Sequence, residues 1–167
     1  MDADYGRNRD RDGGPFKSFE PSLFAWATVM SRPTEDRAIV DAGLEALAFD
    51  AGPPLVCDEP AATYERASDE HGRLAVAAVT NRLGLGDKIR LIPGHCDPTV
   101  NLDDWYVSVR SNRVEQLWPI TARGAPEAAQ LPTPPQKDVR IDQNPHAAYS
   151  KYFCISGGSG ASKSSAM

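Results

Sequence analysis

Between residues 22 and 120 the apolar positions recur at short period and are repeatedly interrupted, a pattern of strands rather than of helices. In Leu23–Ser31 (LFAWATVMS) the bulky Phe24, Trp26, Thr28 and Met30 alternate with small residues, which puts the two sets on opposite faces of a strand. Arg37–Val40 and Leu44–Phe49 are shorter candidates separated by Asp41-Ala42-Gly43, with Leu44–Leu47 alternatively a single helical turn. Tyr64–Ala67 and Arg73–Val79 flank the turn-rich Ser68-Asp69-Glu70-His71-Gly72 and read as a hairpin. Charged and apolar residues alternate through Lys88–Ile92, as in a half-buried strand, and Pro93-Gly94 ends it. Trp105–Arg110 and Arg113–Ile120 are joined by Ser111-Asn112, a two-residue hairpin connection. No segment keeps a helical apolar period over about ten positions. The expected fold class is therefore mainly all-β: about six to eight short strands closing into a compact antiparallel barrel or sandwich.

Composition narrows the foldable part. The 167-residue chain opens on a charged, Gly-rich stretch over 1–20, turns Pro-rich and poor in large apolar residues over 124–148, and ends in linker-like SGGSGASKSSAM. Only about 100 residues, from 22 to 123, have the composition of a packed core. Net charge is −5 with the positive charges scattered, which builds no basic stripe and argues against a nucleic-acid partner. No run approaches the roughly 18 apolar residues of a membrane span, and the polar N-terminus is no secretory signal. Cys57, Cys96 and Cys154 form an odd, widely spaced set, which points to a reducing compartment and a soluble, cytoplasmic chain.

The chemistry is concentrated in Leu91-Ile92-Pro93-Gly94-His95-Cys96-Asp97-Pro98-Thr99-Val100-Asn101-Leu102, which holds one of only three histidines. In an extended backbone His95 and Asp97 point to one side and Cys96 to the other. An imidazole nitrogen with a carboxylate oxygen suits Mn²⁺, Zn²⁺ or Co²⁺, and two protein ligands leave the other positions to water or substrate. Spacing alone leaves two alternatives open. The pair can serve local hydrogen bonds only, or His95 with Cys96 can be the ligands instead. Asp69 fits a hairpin turn, His71 an exposed turn position, and the Trp105-Tyr106 pair a core strand.

The segments FEPSLFAWATVMSRP (19–33), DRAIVDAGLEALAFDAG (36–52), RASDEHG (66–72), GDKIRLIPGHCDPTVNLDDWYV (86–107) and VEQLWPITARG (114–124), with Met1-Asp2-Ala3-Asp4-Tyr5 before them, resemble the D-threonine aldolase and D-serine dehydratase-like lyases. The run from Pro93 to Asn101 is the most specific of them. The resemblance implies that His95 and Asp97 are the two protein ligands of a divalent metal, Mn²⁺ or Zn²⁺, beside a pyridoxal phosphate cofactor. It also implies that Asp69 is a carboxylate orienting the site. Dehydratase relatives carry a Cys two residues after the His; here that position is Asp97, which fits the aldolase branch.

In such enzymes, which resemble alanine racemase, a barrel of parallel strands precedes the β domain and carries the cofactor lysine. The chain has no such barrel, and none of Lys17, Lys88, Lys137, Lys151 and Lys163 has a matching context. The resemblance therefore implies three parts: a remnant of the barrel-to-β-domain linker over 1–21, a metal-carrying β domain over 22–124, and a disordered tail over 125–167. The chain reads as a fragment, a truncated gene product or a degenerate copy, with the barrel as its partner in cis or in trans and a homodimer as the intact assembly. The implied substrate is a D-3-hydroxy amino acid, cleaved in a retro-aldol reaction to glycine and an aldehyde, with pyridoxal phosphate as electron sink. Loss of the hydroxyl, as in D-serine dehydratases, is the alternative chemistry. A stand-alone metal-binding or interaction domain without catalysis is the alternative class.

Overall fold

The computed structural model describes residues 2–16, 19–77, 83–111, 113–121 and 153–156. In chain order these form α1 (Ala3–Gly6), β1 (Leu23–Thr34), β2 (Arg37–Val40), β3 (Leu55–Val56), β4 (Thr63–Ala67), β5 (Gly72–Ala75), β6 (Lys88–Ile92), α2 (Cys96–Val100), β7 (Trp105–Arg110), β8 (Arg113–Pro119) and β9 (Phe153–Ser156). The long strand β1 is the pivot. Its C-terminal half pairs with β2, from which the sheet continues through β5 to β4. Its N-terminal half pairs with β6, which carries β3, and with β9, which leads to β7 and β8. Two register shifts, between Val29 and Ser31 and between Ser31 and Thr34, bend β1 and let one strand serve both wings. The result is a nearly closed, barrel-like sheet, antiparallel except where β9 runs parallel to β7.

The two faces of β1 divide the packing as the alternation predicts, and the small residues take the inside. Ala25, Ala27 and Val29 enter the main core with Ala38, Val40, Leu74, Ile89 and Leu91, while Met30 on the bulky face is exposed. Ala25 and Ala27 lie opposite Leu91 and Ile89, so the tight barrel interior takes one large and one small partner at each level. Trp26, on the other face, packs instead on a second cluster built on Val107 and Val109.

Most strand expectations match the structure. Residues 78 and 79 of the Arg73–Val79 candidate and Asn112 of the β7–β8 connection lie outside the described residues. Leu44–Phe49 is not a strand; Ala46 and Leu47 both donate to Gly43 O at 3.1 Å, giving the single turn that was the alternative. The turn docks on the β4–β5 hairpin through Leu44 N to Ser68 O and Glu45 N to Asp69 O, both 2.9 Å. Gly43 permits this approach, since a Cβ there would fall 2.3 Å from Ser68 O.

Two chain ends differ from their expected character. Ala3–Gly6, expected as linker, form α1 with Asp2 as its N-cap, hydrogen-bonded to the segment after β6, and Asp2 and Ala3 are buried. Within the tail expected to be disordered, Phe153–Ser156 is a strand seated between β1 and β7. Unsatisfied ladder groups on those two strands supply backbone partners that a Pro-poor segment can take whatever its flanks. Residues 122–152 and 157–167 lie outside the described residues.

Candidate functional site

Strand β6 delivers the chain to Pro93 and Gly94, both buried, and then to His95. Gly94 is required by the close approach of two main chains, because a Cβ there would meet Gly52 O at 2.2 Å. His95 is still extended (φ −143°, ψ 127°), but it is the N-cap of α2, so Asp97 lies in the first helical turn and not on an extended strand. The expected geometry of two residues side by side on one strand is thus replaced by a cap and a first-turn position. Pro98 explains the change: at the third helical position its missing N–H has no intrahelical partner to lose, and its fixed φ suits a helix. The Thr99 hydroxyl donates to His95 O at 2.6 Å and accepts from Ala48 N at 3.1 Å, joining α2 to the loop that runs into Asp50.

His95 is half-buried, and its Nδ1 lies 2.6 Å from Asp50 Oδ2, a contact across 45 residues of sequence. This hydrogen bond raises the affinity of the imidazole for a proton; burial opposes it, and the charges of Asp50, Asp97 and Asp2 add to it. In return the His95 hydrogen bond holds the Asp50 carboxyl below the ordinary carboxylate range. His95 therefore sits in an acidic environment to which Asp50, Asp97 and Asp2 contribute. Among the described residues no group of three or more His, Cys, Asp or Glu side chains is placed to hold a metal ion.

Cys96 is half-buried beside Asp2. Burial, with the neighbouring Asp2 charge and a hydrogen bond to Asp2, pushes its thiol up to about 12, so it is a neutral thiol at physiological pH. Tyr106, expected as a core residue, is partly buried against the main cluster, yet its phenol also feels Cys96 and Asp97; burial first and then these neighbours raise its pKa. Asp69 lies exposed in the β4–β5 turn and accepts Glu45 N through its main-chain oxygen. Among the described residues the carboxylate hydrogen-bonded to the His95 ring is Asp50, a residue that spacing gave no reason to single out. Its only signal was its place in Phe49-Asp50-Ala51-Gly52-Pro53-Pro54, where Gly52 at φ +98° turns the chain.

A family model described as "Putative serine dehydratase domain" matches residues 22–109. The chain is 47% identical over 126 residues to 3-hydroxy-D-aspartate aldolase of Paracoccus denitrificans (strain Pd 1222), covering 74% of this chain and 32% of that protein. It is 48% identical over 124 residues to D-threonine aldolase of Arthrobacter sp., again covering 74% and 32%. The crystal structure of D-threonine aldolase from Filomicrobium marinum is similar with a TM-score of 0.65 at 44% identity, over 74% of this chain and 33% of that one. D-threo-3-hydroxyaspartate dehydratase, as a cysteine-to-alanine mutant in the metal-free form, is similar with a TM-score of 0.50 at 28% identity, over 57% and 31%. The chain spans about a third of the length of the curated relatives it matches. With more than half of its residues under the family model and its β fold shared with the solved aldolase, the chain belongs to the serine dehydratase-domain family, alongside D-threonine aldolase and 3-hydroxy-D-aspartate aldolase.

Proposed function

We propose that this chain is the metal-carrying β domain of a D-threonine aldolase-type lyase, with His95 and Asp97 as the two protein ligands of a divalent cation. The observation that carries this reading is the 2.6 Å contact between His95 Nδ1 and Asp50. A carboxylate on Nδ1 fixes the proton there, orients the ring and leaves the Nε2 lone pair for a cation, the arrangement usual for metal-bound histidines. Asp97, exposed in the adjacent turn, adds a charged oxygen, and this nitrogen and oxygen pair suits Mn²⁺ or Zn²⁺. Cys96, held as a neutral thiol against Asp2, is poorly placed to be a ligand.

The chain's own residues have distinct parts in this reading. Asp50 holds the Nδ1 proton, Thr99 fixes the His95 carbonyl, and the orienting role expected of Asp69 falls to Asp50. The cation would supply Lewis-acid chemistry toward the hydroxyl of a D-3-hydroxy amino acid. Pyridoxal phosphate, when bound to the rest of a full-length enzyme, supplies the electron sink for cleaving Cα–Cβ to glycine and an aldehyde. Aldolase chemistry is favoured over dehydration because the aldolase relatives are 44 to 48% identical and the dehydratase 28%.

Calorimetric titration of Mn²⁺ and Zn²⁺ tests the ligand pair. Binding is expected to be modest in the wild type, lost in Asp97→Ala and kept in Cys96→Ser. Metal loss in Cys96→Ser with retention in Asp97→Ala would reverse the assignment. The 167-residue polypeptide alone is expected to cleave no D-threonine with added pyridoxal phosphate and Mn²⁺, since it offers no lysine in a cofactor context.

A further inference from the structure

We infer that Asp2 is a positioning residue for the His95–Asp97 pair, acting through the peptide that lies between them. The inference rests on the metal reading above, but the observation behind it is separate. Asp2 is only 4% exposed, and a carboxylate that is buried must be well partnered to be tolerated. Its Oδ1 accepts Tyr5 N at 2.9 Å, capping α1, and its Oδ2 accepts Cys96 N at 2.9 Å across 94 residues of sequence. The second bond satisfies the first orphan N–H of α2, which the N-cap His95 does not reach with its own side chain.

The rest of the segment reinforces this grip. Ala3 N donates to Pro93 O at 2.9 Å and Asp4 N to Gly94 O at 3.0 Å, so the residues just before His95 are stitched to α1. Arg7 Nη1 donates to Ala51 O at 2.7 Å, reaching the turn that carries Asp50. One short segment therefore holds both the ligand loop and the turn that orients its histidine. Cys96 N is the critical point: it belongs to the residue between the two ligands, so fixing its direction fixes the angle between them. Asp2 ligates nothing in this scheme. It also adds a third carboxylate near His95, after Asp50 and Asp97.

The test compares wild type, Asp2→Ala, Asp2→Asn and Val40→Ala, the last a core truncation in β2 remote from the loop. Mn²⁺ affinity is read by calorimetry, and the Cys96 amide is followed in metal-free protein by hydrogen exchange. Asp2→Ala is expected to weaken Mn²⁺ binding by about 10-fold or more, the usual effect of losing a residue that orients ligands, and to speed Cys96 exchange. Asp2→Asn, which keeps one acceptor oxygen, should do both to a smaller degree. Val40→Ala should lower the melting temperature and leave affinity unchanged, which separates positioning from general destabilisation. Unchanged affinity in a folded Asp2→Ala overturns the inference and leaves the metal reading intact. A wild type that binds no Mn²⁺ overturns the metal reading, and the inference with it. Where Asp2→Ala fails to fold, Asp2→Asn decides: wild-type affinity with unmoved Cys96 exchange overturns the inference.

Discussion

Replacing Thr99 by valine isolates the hydroxyl that ties the His95–Asp97 segment to the Asp50 loop. Thr99 is fully buried, and valine fills nearly the same volume, so the change opens no cavity and adds no bulk. What disappears is a 2.6 Å donation to His95 O and a 3.1 Å acceptance from Ala48 N. Each such bond contributes about 0.5–1.5 kcal/mol net, and an N–H left unsatisfied moves the loss to the upper end, so about 1–3 kcal/mol is expected in all. With a urea slope of roughly 2 kcal/mol per molar, the unfolding midpoint should fall by about 0.5–1.5 M while the slope stays fixed. Mn²⁺ affinity should fall as well, because His95 and its Asp50 partner sit on the two segments that Thr99 joins. A midpoint shift worth less than about 0.5 kcal/mol at constant slope would refute this account, since the hydroxyl would then tie the two segments no more strongly than an exposed polar group does.

Three further outcomes follow from the same geometry. Gly94→Ala should destabilise by about 1–3 kcal/mol, as overpacking does, because its Cβ would meet Gly52 O at 2.2 Å and both sides are main chain; thermal unfolding reads it. Ending the chain after Thr121 removes β9 from between β1 and β7; a lowered melting temperature and concentration-dependent association in light scattering are expected as those edges open. Burial pushes the Asp2 carboxyl up, but the N–H groups of Tyr5 and Cys96 outweigh it and leave its pKa below the ordinary 3.8. Its stabilisation is therefore present above that value and lost as pH falls through the lower, folded-state pKa, so the stability gap between wild type and Asp2→Asn should narrow over that range.

Strand content was legible where a strand has one buried and one less buried face, as in β2, β5 and β6, because this writes an alternation into the sequence. Lys88–Ile92 was read with its observed bounds on that signal, and Trp105–Arg110, buried at three successive positions, from its place before a two-residue connection. Elements held by partners rather than by their own pattern were not legible. Leu55–Val56 is too short to show a period, and it exists because Leu55 and Val56 lie opposite Ile92 and Leu91. Strand β9 sits in a stretch whose composition argues for disorder; its pairing is supplied by β1 and β7, which lie far away in sequence. The turn at Leu44–Leu47 was ambiguous for a related reason. Leu47 is fully buried and Leu44 exposed, but which of them faces the core depends on where the β4–β5 hairpin lies.

For the site, the sequence located the loop but not the residues that hold it. His95, Cys96 and Asp97 are adjacent, so their chemistry is visible as a cluster of donor types in one run. Their directions are set elsewhere: by Asp50 on the ring, by Thr99 on the carbonyl, and by Asp2 on the next N–H. Two of these three ties cross 45 and 94 residues, and neither Asp50 nor Asp2 stands in a pattern that differs from an ordinary turn or a polar end. Asp69 illustrates the converse. A carboxylate beside a His and a Gly in a turn has the right composition for an orienting partner, yet that same composition is what any tight hairpin needs. Composition can nominate a carboxylate for an imidazole; only the folded chain, which sets Gly94 against Gly52 and ties Thr99 to Ala48, brings Asp50 to His95.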